Sequence, residues 1–70
     1  MQAERIIAES IKQYSRTNQK KDKMSKQLKH TILGMIYMSV KLEEISLETA
    51  EKYVDEVFAV YGAMSEGEEM

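Results

Sequence analysis

The chain has 70 residues, a net charge of −2 and no cysteine. That length allows one domain at most, and so small a domain buries only about 60% of its unfolded surface. Small folds commonly gain further stability from disulfides, a structural metal or oligomerisation. The lack of cysteine excludes disulfides and thiolate zinc sites, and a single histidine, His30, speaks against a histidine zinc site. We therefore expect no metal and no cofactor, and another protein chain as the source of any further stability.

The sequence shows neither a secretory signal nor a membrane span. The N-terminal residues MQAERIIAES are charged and amphipathic, without a continuous apolar segment. The most apolar stretch, residues 31–40, has half the length that a bilayer crossing needs. We expect a cytoplasmic protein with no membrane partner.

The predicted fold class is all-α. Proline is absent, and Lys, Glu, Gln, Met and Ala are prominent, which favours helix throughout. Apolar residues recur at helical spacing in three segments of the chain. These predict helices over about residues 2–16, 23–42 and 47–62, within a single domain of residues 1–64.

The first predicted helix has a narrow apolar stripe, whose members recur at spacings of four, four and three residues. They are Ala3, Ile7, Ile11 and Tyr14. Residues 15–23 then contain no apolar side chain. We interpret this segment as a break between helices, because nothing in it can pack, with Asp22 or Ser25 as the cap of the next helix. The alternative is one long rod formed by fusion of the first two helices.

The second predicted helix is apolar around roughly 220° of its circumference. So wide an arc is hard to bury within one copy of a chain this small. We predict that its uncovered part binds a second copy of the chain or another protein, and that Gly34 lets the partner's backbone approach closely. The predicted interface residues are Leu33, Ile36, Tyr37, Met38 and Val40. The alternative is a monomer with a methionine-rich core and one or two exposed apolar side chains.

The third predicted helix begins after Ser46, a favourable N-cap, and ends at Gly62. Ile45 is expected to fold back onto Ala50 as a hydrophobic staple. Only a few residues join the second and third helices, which predicts an antiparallel helical hairpin. The composition turns acidic at the C-terminus, and residues 65–70 are predicted to form a disordered tail.

Charge is sorted along the chain. Residues 12–30 carry seven basic side chains and one acid, whereas residues 41–70 carry two lysines and nine acids. The seven basic residues are Lys12, Arg16, Lys20, Lys21, Lys23, Lys26 and Lys29. They could bind nucleic-acid phosphates, meet the acidic half of another protein chain, or only keep the protein in solution. The net negative charge and the excess of Lys over Arg weigh against DNA.

The sequence contains no constellation for catalysis. It lacks a phosphate-binding glycine loop, a serine–histidine–acid set and a cysteine nucleophile. Four carboxylates at helical spacing could suggest a metal site, but no Glu-x-x-His motif accompanies them, so we interpret the row as a solvated face. This row is Glu44, Glu48, Glu51 and Asp55. We predict that the protein is not an enzyme and has no small-molecule substrate.

The expected function is that of a non-catalytic regulator or adaptor, which works by protein–protein interaction as an inhibitor, antagonist or assembly factor. A homodimer formed through the second helix is the expected state. The alternative is a nucleic-acid-binding regulator that uses residues 12–30.

Overall fold

The computed structural model describes residues 2–66, most of which are helical. Three helices pack together: α1 spans Gln2–Thr17, α2 spans Lys23–Lys41 and α3 spans Leu47–Ala63. Two short strands, β1 (Lys20–Lys21) and β2 (Ser65–Glu66), pair in parallel. The molecule is elongated, with extents of 39 × 19 × 16 Å. None of the three helices is long and apolar enough to cross a membrane.

One stripe of each helix forms a common core. The predicted stripe of α1 is confirmed, since Ile7, Ile11 and Tyr14 are buried and Ala3 packs against them. The remaining buried apolar residues come from α2, α3 and the segments that flank α3: Ile32, Ile36, Ala50, Tyr53, Val57, Ile45 and Met64. Ile36, one of the residues predicted for the interface, is therefore a core residue, 1% exposed.

Two serines on the buried face of α2 were not recognised as core positions from the sequence. Ser25 and Ser39 are 0% and 8% exposed. Their small side chains leave room for the neighbouring helices to approach α2 closely. The Ser25 hydroxyl donates to the Asp22 carbonyl at 3.0 Å, and no buried side-chain N or O atom among residues 2–66 lacks a hydrogen-bond partner. Polar groups in this core are thus satisfied, as native packing requires.

The predicted break between the first two helices is present. α1 ends at Thr17, whose hydroxyl donates back to the Gln13 carbonyl at 2.8 Å. Asp22, one of the two predicted caps, is the N-cap of α2 and accepts a hydrogen bond from the Ser25 N–H at 2.9 Å. The polar segment between the helices is thereby ordered by local side-chain contacts.

The link between α2 and α3 turns through a left-handed residue, Glu43, whose φ is 59°. Its N–H donates to the Val40 carbonyl at 2.9 Å, and the Glu44 N–H donates to the Ser39 carbonyl at 2.8 Å. This pair of bonds is the Schellman arrangement that ends many helices. Ser46 then caps α3 as predicted, accepting from the Thr49 N–H at 3.1 Å.

The C-terminal segment departs from the sequence-based expectation in two respects. Gly62 does not end α3, which continues to Ala63 and closes with the Met64 N–H donating to the Tyr61 carbonyl at 3.1 Å. Residues 65 and 66 form β2 instead of a disordered tail, because Ser65 binds the Gln19 carbonyl through its N–H and its hydroxyl, both at 3.0 Å. Residues 67–70 of the predicted tail lie outside the described residues.

Candidate interaction surfaces

Four of the five residues predicted as a protein interface line one groove, between α2 and α3, and the fifth, Met38, lines another. Ile36 lies in the core, while Leu33 and Val40 are half-buried and pack against it. Tyr37 and Met38 are 62% and 53% exposed. Two of the five candidates are therefore more than half exposed, two lie at the margin of the core, and one lies within it.

Met38 lines an open groove between α1 and α2. This groove has a volume of about 860 Å³ and is mainly apolar, with Ala3, Ile6 and Ile7 on the α1 side and Gly34 and Met35 on the α2 side. Ile6 is 50% exposed, although it lies beside the buried Ile7. Ile6 is not a member of the apolar stripe predicted for α1, and the sequence did not assign it to an interaction surface.

Tyr37 lines a second open groove, between α2 and α3. Its volume is about 440 Å³, and Leu33, Val40, Leu47 and Val54 also line it. Leu47, the first residue of α3, is 69% exposed. Two acids, Glu51 and Asp55, stand at the margin of this groove.

Gly34 is exposed on α2, and in a view along the helix axis it lies between Tyr37 and Met38. A Cβ added there would meet no atom within 4 Å, so no part of this chain explains the glycine by close packing. Five large apolar side chains that are at least half exposed gather around this half of α2, and we call them the apolar end. They are Ile6, Tyr37, Met38, Leu42 and Leu47, with exposed fractions from 50% to 69%.

The seven basic residues are distributed over three elements. Lys12 and Arg16 lie on α1, where they line a shallow polar depression. Lys20 and Lys21 form β1, and the remaining three lie on α2: Lys23, Lys26 and Lys29.

Two of these lysines meet aromatic rings of α3. The Lys29 Nζ lies 4.4 Å from the Tyr61 ring centre and 5.6 Å from that of Phe58. The Lys21 Nζ lies 5.6 Å from the Tyr61 ring centre and forms an ion pair with Glu66 at 3.3 Å. Phe58 is 51% exposed. No local pattern indicates this cluster, because the lysines and the rings are separated by some 30 to 40 positions and meet only through packing.

Two tyrosines connect helices through their hydroxyl groups. Tyr14 of α1 donates to the Ser25 carbonyl of α2 at 2.9 Å, and Tyr53 of α3 donates to the Glu4 carboxylate of α1 at 3.5 Å. Burial raises the pKa of Tyr14 above its ordinary value, with smaller contributions from Tyr61 and Asp22. Burial also raises the pKa of Tyr53, and the carboxylate of Glu4 adds to the effect. Both phenols are thus held in the protonated, hydrogen-bonding form.

The acidic row and the histidine form no site. Among residues 2–66, no group of three or more His, Cys, Asp and Glu side chains is placed to hold a metal ion. Glu44, Glu48, Glu51 and Asp55 are all exposed, and His30 is exposed on α2.

No protein-family model, curated protein or solved structure matches this chain. The class that can be stated is the coarse one, a small and mostly helical protein of three packed helices. Two features of its surface are candidates for a function: the apolar end and the lysine–aromatic contacts.

Proposed function

We propose that this protein is a non-catalytic binding module that forms a homodimer through the outward face of α2, and that it acts as a regulator or adaptor. The observation that carries the proposal is the apolar end, where five large side chains are at least half exposed within one region. Ile6 and Met38 line one open groove beside α2, and Tyr37 and Leu47 line the other. Exposed apolar surface of this kind commonly marks a binding site. Gly34, open to solvent in the middle of this face, would let a second backbone approach closely.

The free energy gained by burying these apolar side chains sets the dissociation constant that we expect for the dimer. Burying the exposed half of such a side chain contributes roughly 1 kcal/mol, so ten of them in two copies contribute on the order of 10 kcal/mol. Association opposes this with about 4–15 kcal/mol of lost translational and rotational freedom. The most favourable balance is about 6 kcal/mol, so we expect a reversible dimer with a dissociation constant of about tens of micromolar to millimolar, not an obligate one.

We infer that α2 and α3 form an antiparallel hairpin, which supports this face. The five residues between the two helices are too few for a long connection. Lys29, in the first half of α2, contacts Phe58 and Tyr61, in the second half of α3. Tyr37, in the second half of α2, lines a groove with Leu47 at the start of α3. Both sets of contacts support opposite directions for the two helices.

Charge favours an antiparallel arrangement of the two copies. The exposed face of α2 carries Lys23 and Lys41, and the link that follows carries Glu43 and Glu44. A parallel pair would bring two acidic links together. An antiparallel pair directs the acidic link of each copy toward the Lys23 end of the other, where opposite charges set the orientation.

Replacing Met38 by a charged residue tests the proposal. Met38→Glu should shift the protein to a monomer at concentrations where the wild type is dimeric, since a carboxylate cannot be buried there without a partner. Sedimentation equilibrium from about 1 µM to 1 mM, a range that spans the dissociation constants expected for this dimer, measures the change. Met24→Glu is the matched control, because Met24 is another exposed methionine of α2, 64% exposed, outside the apolar end.

A charge exchange tests the orientation. Glu44→Lys and Lys23→Glu should each weaken the dimer several-fold, and the double variant should regain most of the loss. If the wild type remains a monomer at 1 mM, or if Met38→Glu and Met24→Glu behave alike, the homodimer is refuted. A dimer that both single charge variants leave unchanged would mean that the orientation is wrong.

A further inference from the structure

We propose that a second surface of this protein binds single-stranded nucleic acid. This lysine–aromatic surface consists of Lys20, Lys21, Lys29, Phe58 and Tyr61. None of its residues belongs to the apolar end, so the two surfaces can be changed separately by substitution. The proposal joins two observations that the sequence kept apart: a run of lysines, and two aromatic rings of α3 that lie beneath them.

The geometry provides positive charge directly above aromatic faces. The Lys29 ammonium lies within 4.4 Å of the Tyr61 ring centre and within 5.6 Å of that of Phe58, and Lys21 adds a second cation at 5.6 Å from Tyr61. Phe58 is 51% exposed, so half of its surface remains open beside these charges. An aromatic ring kept in water next to a lysine is an arrangement that proteins use to hold an extended nucleic-acid strand.

Two of the nearby acids that could repel phosphate, Asp22 and Glu66, are engaged in hydrogen bonds or ion pairs. Asp22 is occupied as the N-cap of α2, where its carboxylate accepts from the Ser25 N–H. Glu66 is paired with Lys21 at 3.3 Å, and this pair is exposed on the glutamate side. Asp55, one turn before Phe58, lines the groove between α2 and α3. Lys20 is exposed, so it can meet a phosphate directly.

The chemistry selects a single strand over a duplex. A ring can stack only on a base whose face is free, and in a duplex both faces are covered by neighbouring bases. Readout of a duplex would require an element that enters a groove with several side chains directed at base edges. Here the aromatic residues lie beside the lysines on the flank of a helix pair. The arrangement therefore fits backbone phosphates on the lysines and a base on the exposed ring of Phe58. Tyr61 is half-buried beneath Lys29 and Lys21, and it holds these two lysines in place.

Fluorescence anisotropy with a labelled 20-nucleotide deoxythymidine oligomer tests the proposal, with a uridine oligomer and a duplex of equal length for comparison. We expect both single strands to bind alike and more tightly than the duplex. Three lysine contacts predict a slope of log affinity against log salt of about −2. Phe58→Ala should weaken binding about 10-fold through loss of stacking, and Lys29→Gln should weaken binding and flatten the salt slope.

Glu66→Gln supplies a variant with the opposite effect. It releases Lys21 from its ion pair, and an exposed pair of this kind contributes little to folding. Binding should therefore become about two- to five-fold tighter while stability is unchanged. A gain of affinity cannot be produced by a folding defect, which makes this variant informative even if Phe58→Ala loses some structure.

The controls separate this surface from the dimer. Leu47→Ala, which shortens an exposed apolar residue of the apolar end, should leave oligomer binding unchanged. The proposal is overturned if the single strands do not bind at low salt, if the duplex binds more tightly, or if Phe58→Ala has no effect. It is also overturned if polyglutamate of equal charge competes as well as the oligomer, since the surface would then be a site for acidic protein segments. Sedimentation of the same samples reports on the dimer independently.

Discussion

At the scale of single residues, Glu43 has the least favourable backbone conformation. It is the one non-glycine residue among residues 2–66 with positive φ, at 59°. A left-handed conformation costs a residue with a Cβ roughly 1 kcal/mol, and glycine is the usual residue at this position after a helix. Two hydrogen bonds fix it there, from the Glu43 N–H to Val40 and from the Glu44 N–H to Ser39. These two backbone hydrogen bonds thus hold Glu43 in a left-handed conformation that glutamate disfavours.

Glu43→Gly should stabilise the protein by up to about 0.5 kcal/mol. Glycine removes the steric cost of roughly 1 kcal/mol, and its greater entropy in the unfolded chain offsets at least part of that gain. Urea unfolding followed by circular dichroism measures the change at fixed protein concentration. Glu44→Gly is the control, since Glu44 has no positive φ, and it should be neutral or destabilising. A lower stability for Glu43→Gly would show that the Glu43 side chain makes a contribution larger than the backbone strain.

Ile36 shows what the sequence could and could not predict for a residue. Helical periodicity fixes the angle between Ile36 and Tyr37 at about 100°, so the two must face different surroundings. The sequence could not tell which direction α3 occupies around α2. In the structure Ile36 is 1% exposed and Tyr37 is 62% exposed. Ile36 therefore belongs to the core of the chain, and the interface predicted from the sequence stays a prediction.

At the scale of elements, the helices were predictable because their signals are local. The stripe from Ile7 to Tyr14, the Asp22 cap and the Ser46 cap each depend on residues within one or two turns. The pairing of β1 with β2 has no such signal. It joins Gln19 and Ser65, which are 46 positions apart, through bonds that form only after the helices have packed. The sequence therefore predicted disorder for residues 65 and 66, where the structure has a strand.

Gly34 gives a prediction for α2 as an element. A glycine within a helix is less favourable than alanine by about 0.5–1 kcal/mol, and no atom of this chain would obstruct the new methyl group. Gly34→Ala should therefore stabilise the monomer, as judged by urea unfolding below the dimer's dissociation constant. In the proposed dimer the same methyl group would separate the two backbones, so association should weaken several-fold in sedimentation.

Gly62→Ala is the matched control for that experiment. A Cβ at Gly62 also meets nothing within 4 Å, but this residue lies near the end of α3 and away from the apolar end. It should raise stability slightly and leave association unchanged. If Gly34→Ala strengthens the dimer or leaves it unaffected, the two copies do not cross at Gly34.

At the scale of the whole molecule, the two proposed surfaces lie at opposite ends of α2. The helix has 19 residues and is therefore about 28 Å long. The apolar end surrounds its C-terminal half, and the lysine–aromatic surface lies beside its N-terminal half. In an antiparallel dimer, the lysine–aromatic surfaces of the two copies would stand at the two far ends. A single strand of nucleic acid would have to run along the length of the dimer to reach both lysine–aromatic surfaces.

The hydroxyl groups of two buried tyrosines join the three helices, and their raised pKa values make stability sensitive to alkaline pH. Tyr14 joins α1 to α2 and Tyr53 joins α3 to α1. The pKa of each is raised in the folded state from an ordinary value of 10.0, chiefly by burial. A phenol with a raised pKa holds its proton more tightly when folded than when unfolded. Its contribution is therefore complete below pH 10 and is lost as pH rises through the folded pKa.

We expect the free energy of unfolding to fall as pH rises above about 10, the ordinary tyrosine value. Lysines also lose their charge in this range, so the comparison with Phe variants isolates the tyrosines. Tyr14→Phe should lower stability at pH 7 by about 1 kcal/mol, through loss of the bond to Ser25, yet decline less steeply at alkaline pH. Tyr53→Phe should act in the same direction, with a smaller loss at pH 7 because its bond to Glu4 is long, at 3.5 Å. If urea unfolding at pH 9 and 11 gives wild type and both variants the same decline, the buried phenols do not control the alkaline limit of this fold.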